Sequence, residues 1–465
     1  MTCPAITVAG LGGDSGKTLV SLGLAAAWTQ AGHRVAPFKK GPDYIDAAWL
    51  SLAAGVPCRN LDTFLMEQET ILSTWSRAVK AARFALTEGN RGLYDGLNAE
   101  GSHSTAELAK LTGSPVLLVV NVTKMTRTTA AIVLGAKLLD PDVDLLGVVL
   151  NNVGGKRHQR VATEAVEAAT GVPVIGAIPR IRDEETMIPG RHLGLITTDE
   201  HPEAQCAIET ARSAVEEHLD LPKLEMLMRE RTVEVGTSRD ETATPTERHA
   251  GDSVRIGVIR DAAFPFYYPE NLEALEARGA KLVTVSALND EALPDGLHAL
   301  YVGGGFPETH AERLAANRTF HASLREAADK GLPIYAECGG LMFLCRSIEW
   351  QGRTYDMTGV LPLEIAWTDR PAGHGYTRGM VDAENPFYPV GTELRGHEFH
   401  HSRVSEVHGD LREMTTIRLH KGAGVGDHRD GLTRGNVLAL YTHIHAAGTP
   451  EWADGLIRAA KGFTN

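Results

Sequence analysis

The run Ala5-Ile6-Thr7-Val8-Ala9-Gly10-Leu11-Gly12-Gly13-Asp14-Ser15-Gly16-Lys17-Thr18 passes from an apolar segment through a glycine-rich turn into a second apolar segment, 19–28. An apolar strand, a flexible turn ending in Gly-Lys-Thr and a helix form the setting of a phosphate-binding loop. Glycines let backbone N–H groups wrap phosphate oxygens, Lys17 reaches the outer phosphates, and Thr18 offers a hydroxyl to magnesium. The predicted nucleotide contacts are therefore Gly12, Gly13, Asp14, Ser15, Gly16, Lys17 and Thr18. Leu11 stands where the first glycine of such loops is usual.

Further apolar runs at 34–38, 83–88, 115–121, 144–151 and 173–177 alternate with helix-length segments. That alternation predicts an α/β unit with a parallel sheet and crossover helices. In such a sheet the loop after the second strand lies beside the phosphates, at the carboxyl ends of the strands. That loop contains Lys39, Asp43 and Asp46. Lys39 is a candidate partner for phosphate, and either aspartate could hold Mg²⁺ through oxygen or simply cap a helix. Glu88, at the end of the third run, is a candidate to complete the metal site with Thr18; a solvated strand end is the alternative.

Residues 222–252 are charged and carry few apolar side chains in their later part, which marks a linker between residues 1–221 and 253–465. A second alternation begins at 255–259 and continues at 281–285, 299–302, 333–336 and 437–441, predicting another open, mainly parallel α/β unit. Its most specific feature is Pro333-Ile334-Tyr335-Ala336-Glu337-Cys338-Gly339-Gly340-Leu341. A strand runs into a cysteine and glycines open a helix, the form of a nucleophile elbow. A helix N-terminus beside the sulfur is expected to lower the thiol pKa. Gly304 and Gly305, together with Gly339, offer backbone amides for an oxyanion hole. Tyr441-Thr442-His443-Ile444-His445 supplies a base at His443 or His445. Position 445, where triad enzymes of this kind carry an orienting glutamate, is a histidine. His397, Glu398, His400 and His401 form a cluster that can be read as a metal site.

The chain has 465 residues, 43% of them hydrophobic, a formal charge of −13 and five irregularly spaced cysteines. Length favours two domains. The negative charge argues against a nucleic-acid partner, and no apolar run is long enough to span a membrane. An odd cysteine count without a leader-like N-terminus points to the cytoplasm.

Phe38-Lys39-Lys40-Gly41-Pro42-Asp43-Tyr44-Ile45-Asp46, Asn60-Leu61-Asp62, Gly92-Leu93-Tyr94-Asp95-Gly96 and Arg191-His192-Leu193-Gly194-Leu195 resemble the cobyrinic acid a,c-diamide synthase family. These are dethiobiotin-synthetase-like P-loop domains joined to a glutaminase. Gly396-His397-Glu398-Phe399-His400 and Tyr268-Pro269-Glu270-Asn271-Leu272 extend the resemblance into the second half. It implies an ATP-dependent ligase that phosphorylates a tetrapyrrole carboxylate and amidates it with ammonia from glutamine. It also implies substrate contacts at Tyr44, Asp95, Arg191 and His192, selects His443 over His445 as base, and places the histidine run near the glutaminase site rather than on a metal. Cobyrinic acid is the first expectation and sirohaem or a sirohydrochlorin derivative the second. A homodimer is left open. A partitioning-type P-loop ATPase is the competing class, but it gives no role to Cys338.

Overall fold

The computed structural model describes residues 2–181, 204–234 and 253–463. The chain divides into two compact units, residues 1–241 and 242–465.

In the first unit the expected alternation forms β1 (Ala5–Gly10), α1 (Lys17–Gln30), β2 (Val35–Lys40), α2 (Tyr44–Ala54), β3 (Arg59–Leu61), β4 (Phe84–Gly92), β5 (Val116–Asn121), β6 (Leu145–Val153) and β7 (Val174–Pro179). The sheet order is β3-β2-β4-β1-β5-β6-β7, and every pairing is parallel. Near-continuous burial of β1, β2 and β5 follows from helices covering both faces. On one face α1 packs against α3 (Ala204–His218), with Trp28 stacked on Phe84 at 4.5 Å. Trp28, Trp49 and Phe84 are almost fully buried, each worth about 1.5–3 kcal/mol of apolar transfer. β4 runs past the expected end at Glu88 to Gly92. In register, Lys39 on β2 and Val8 on β1 both lie opposite Glu88.

The second unit contains β8 (Arg255–Ile259), β9 (Lys281–Val285), β10 (Ala299–Val302), α4 (Arg318–Asp329), β11 (Ile334–Glu337) and α5 (Gly339–Leu344). It continues with β12 (Gly373–Val381), β13 (Glu393–His400), β14 (Thr415–Lys421), β15 (Arg429–Arg434), β16 (Val437–Leu440) and β17 (His443–Ile444). The ten-stranded order is β9-β8-β10-β11-β16-β15-β14-β12-β13-β17. The segment β9-β8-β10-β11-β16 is parallel, as the sequence predicts. From β16 onward the pairings are antiparallel, an extension the sequence reading did not contain. A four-stranded sheet from residues 347–407 packs beside it. Among the described residues, no helix is long and apolar enough to cross a membrane.

Candidate active sites

Gly16 caps α1 in a left-handed conformation, φ 95°, and a side chain there would start 2.1 Å from Asn151 Nδ2. Only glycine fits that position without strain. Asn151, at the end of β6, donates to the Ser15 carbonyl at 3.0 Å and so braces the turn from a strand far away in sequence. The signal for it was a polar side chain ending a buried strand. Gly12 and Gly13 face open space, and Asp14 also has positive φ, 54°. Lys17 Nζ donates to the Gly12 carbonyl at 3.0 Å and curls back over the loop. Burial lowers the Lys17 pKa, and the charge of Lys39 adds to that.

Beside the loop, Thr18 Oγ1 donates to Glu88 Oε1 at 2.9 Å. Lys39 Nζ lies 3.0 Å from that same oxygen, 2.5 Å from Asp46 Oδ2 and 4.0 Å from Asp43 Oδ2. Burial opposes the Lys39 charge, but Asp46, Glu88 and Asp43 outweigh it and keep the ammonium protonated. Glu88 is fully buried, not solvated, and burial raises its pKa. Its Oε2 is buried without a hydrogen-bond partner. Asp43 is the N-cap of α2, accepting from the amides of Ile45 and Asp46 at 3.0 Å. Capping and a place near the metal candidates thus coincide in one residue. The donor set is all oxygen, with an orphaned carboxylate atom, which fits a hard dication such as Mg²⁺.

Tyr44 opens α2 beside this cluster. Asp95 accepts from the Gly92 amide at 2.8 Å and shapes the turn after β4. Arg191 and His192 lie outside the described residues.

In the second unit Cys338 joins β11 to α5 at φ 47°, ψ −101°, a strained conformation for a residue with a side chain. Its amide donates to the Leu440 carbonyl at 2.7 Å, which ties the elbow to β16. Burial pushes the Cys338 thiol well above the ordinary cysteine range, and the carboxylates of Glu308, Glu337 and Glu398 add to it. The Gly339 amide works in the opposite direction without prevailing. The expectation of a lowered thiol pKa is therefore corrected: in this state the sulfur holds its proton, because one short helix does not offset full desolvation.

Gly304 touches the imidazole of His443 so closely that a side chain would start 2.4 Å from Cε1. Gly305 N lies 2.9 Å from the point where a side chain on Gly339 would begin, so the loop after β10 packs directly against the start of α5. The Gly303 amide is instead engaged by the Tyr267 hydroxyl at 2.8 Å.

His443 Nδ1 faces Glu337 Oε2 at 3.4 Å. Glu337 is fully buried, accepts from Tyr301 Oη at 3.2 Å and from the Ile444 amide at 3.3 Å, and immediately precedes Cys338. Sequence reading saw no orienting carboxylate, because it looked two residues beyond the histidine. The carboxylate that faces His443 comes from the strand that ends at Cys338. His397 stacks on His443, ring centroids 4.9 Å apart. His445 is turned to Glu270, 3.7 Å away, and to Tyr268.

The histidine run does not assemble a metal site. Strand alternation sends His397 to His443, while Glu398 takes the amides of Ala423 and Gly424 at 2.6 and 2.9 Å. His400 stacks on Tyr441, and His401 stacks on Trp367.

A phosphate loop followed in the same chain by a thiol elbow defines the class of ATP-dependent glutamine amidotransferases. Residues 6–189 match the family model described as the CobQ/CobB/MinD/ParA nucleotide binding domain. Residues 255–451 match the CobB/CobQ-like glutamine amidotransferase domain. A cobyrinate a,c-diamide synthase of Magnetococcus marinus is 42% identical over 96% of this chain and 94% of its own. Those of Dehalococcoides mccartyi and Methanothermobacter thermautotrophicus are each 40% identical, over 100% and 98% of this chain and 99% and 100% of theirs. The chain belongs to the cobyrinate a,c-diamide synthase family.

Proposed function

We propose that this enzyme converts the a and c acetate side chains of cobyrinic acid to carboxamides, using ATP and glutamine. Similarity along the whole chain to enzymes bearing that name carries the reading. The two candidate sites supply the chemistry it needs. In this reading residues 1–221 are the synthetase domain, 222–252 the linker and 253–465 the glutaminase domain.

His443 takes the Cys338 proton as the sulfur attacks the carboxamide carbon of glutamine, with Glu337 stabilising the imidazolium that forms. The amides of Gly304, Gly305 and Gly339 receive the developing oxyanion. Collapse of the adduct returns the proton to the departing ammonia, and water hydrolyses the thioester to glutamate. Substrate binding is what makes the buried thiol reactive, because imidazole and oxyanion donors then compensate the new charge. In the other unit the residues of the Gly12–Thr18 turn and Lys39 bind the ATP phosphates. A carboxylate oxygen of the tetrapyrrole takes the γ-phosphoryl group, ADP leaves, and ammonia displaces phosphate from the acyl phosphate. Mg²⁺ held by Thr18, Asp43, Asp46 and Glu88 would offset charge on the transferred group. Tyr44, Asp95, Arg191 and His192 are assigned to the tetrapyrrole.

The test supplies the enzyme with ATP, magnesium and glutamine, offers cobyrinic acid and sirohaem in parallel, and scores amides by mass spectrometry. Diamide from cobyrinic acid alone is expected. Product mainly from sirohaem would replace the substrate and leave the reaction class intact.

A further inference from the structure

The loop after β10 carries a carboxylate to which the reaction above gives no task. Glu308 lies in a 3-10 turn, Pro307–His310, just beyond the candidate oxyanion glycines. It is 4% exposed, and its Oε2 is buried without a hydrogen-bond partner. Burial raises its pKa to about 7. A buried carboxylate oxygen with no donor is unfavourable, and one that persists calls for a partner that arrives later.

The position of Glu308 is tied to the thiol. Pro307 Cδ, from the same turn, lies 2.9 Å from the point where a side chain on Gly339 would begin. Of the charged groups acting on the Cys338 thiol, Glu308 acts most strongly, ahead of Glu337 next to it in sequence. Glu337 is committed to His443, Tyr301 and Ile444, and Glu398 to Ala423 and Gly424. Of these three carboxylates, Glu308 alone retains a buried oxygen without a hydrogen-bond partner.

Glutamine brings the complementary group. Its reactive carboxamide carbon and its α-ammonium nitrogen are four bonds apart, about 5 Å when extended. We infer that Glu308 receives the α-ammonium group of glutamine while the carboxamide sits on Cys338, an assignment that rests on the glutaminase reading above. The pair forms a buried, charge-assisted hydrogen bond and satisfies the orphaned oxygen. It also gives specificity: a primary amide without the ammonium leaves Glu308 buried and unpaired, so simple amides are rejected.

The experiment compares the full chain with its Glu308→Gln variant, measuring ammonia released from L-glutamine and from glutaramate, which is glutamine without its α-amino group. Glu308→Gln is expected to raise KM for glutamine about ten- to hundredfold. KM for glutaramate is expected not to rise, so the preference of the unchanged enzyme for glutamine collapses. Turnover of glutaramate, which needs the same thiol, reports that the variant is folded. If Glu308→Gln does not fold, Glu308→Asp carries the same comparison with a smaller rise. An unchanged KM for glutamine, or equal losses on both substrates, overturns the assignment. Glutamine hydrolysis that survives Cys338→Ala would bring down the glutaminase reading and this assignment with it. Hydrolysis that needs Cys338 but keeps its preference in Glu308→Gln would remove the assignment alone.

Discussion

Glu337→Gln keeps the shape of the side chain and removes the charge facing His443 Nδ1. If that charge holds the imidazole in place and stabilises its protonated form, glutamine hydrolysis should fall about a hundredfold in kcat with little change in KM. Amidation driven by added ammonia should be untouched, and loss of both would mean that the substitution acts beyond the glutaminase unit. Gly304→Ala tests the same geometry from the other side, since its methyl group would collide with His443. The expected result is loss of glutamine-driven turnover with ammonia-driven turnover intact. Lys17, Thr18 and Cys338 were legible as candidates because each sits inside a local motif whose spacing suggests its chemistry. Glu337 was adjacent to one of them and was still missed, because its partner lies 106 residues further on. Asn151 and the ion pairs of Lys39 were hidden for the same reason: strand register brings them to the loop, and no short window contains both ends.

At the scale of elements, the parallel strands were readable because two-sided burial makes them continuous apolar runs. The antiparallel half of the second sheet was not. β12 alternates buried and exposed positions through Gly, His, Tyr, Thr and Arg, so little apolar contrast marks it as a strand. The packing of α4 on α5 yields a pH dependence. His321 on α4 meets the ring of Phe343 on α5 edge-on at 5.4 Å and is 4% exposed. Burial lowers its pKa to about 4, with Arg325 adding to the effect. The folded state then resists a proton that the unfolded chain accepts near pH 6.5. Stability from this residue is complete above that pH and is lost as pH falls toward 4, by about 2 kcal/mol at pH 5. Urea unfolding of His321→Gln should therefore decline less steeply between pH 7 and 5 than that of the unchanged chain. Parallel slopes would show that His321 takes up its proton in the folded state too.

Across the whole molecule, each unit owns its sheet and its hydrophobic clusters, so the two chemistries should fail independently. Lys17→Ala is expected to abolish ATP-dependent amidation while glutamine hydrolysis remains measurable. Cys338→Ala is expected to do the reverse, keeping amidation when ammonium is supplied. If either variant silenced both activities while still folded, the division of labour between the units would be wrong. The α/β class and the order of the two units were legible from alternation and two motifs, whereas the curled extension of the second sheet was visible only in the fold.

Cys338 holds its backbone where an L-residue is uncomfortable. Such a conformation costs on the order of 1–3 kcal/mol, which the surrounding strand and helix must absorb. The fold is therefore less stable than its own architecture permits, at the residue to which the proposed mechanism gives the attack on glutamine. Relaxing that residue to glycine should give an enzyme that no longer uses glutamine, keeps ammonia-driven amidation, and melts higher than its Cys338→Ala counterpart. In a lineage fed by ambient ammonium, glycine at position 338 would be the expected fossil of an abandoned glutaminase.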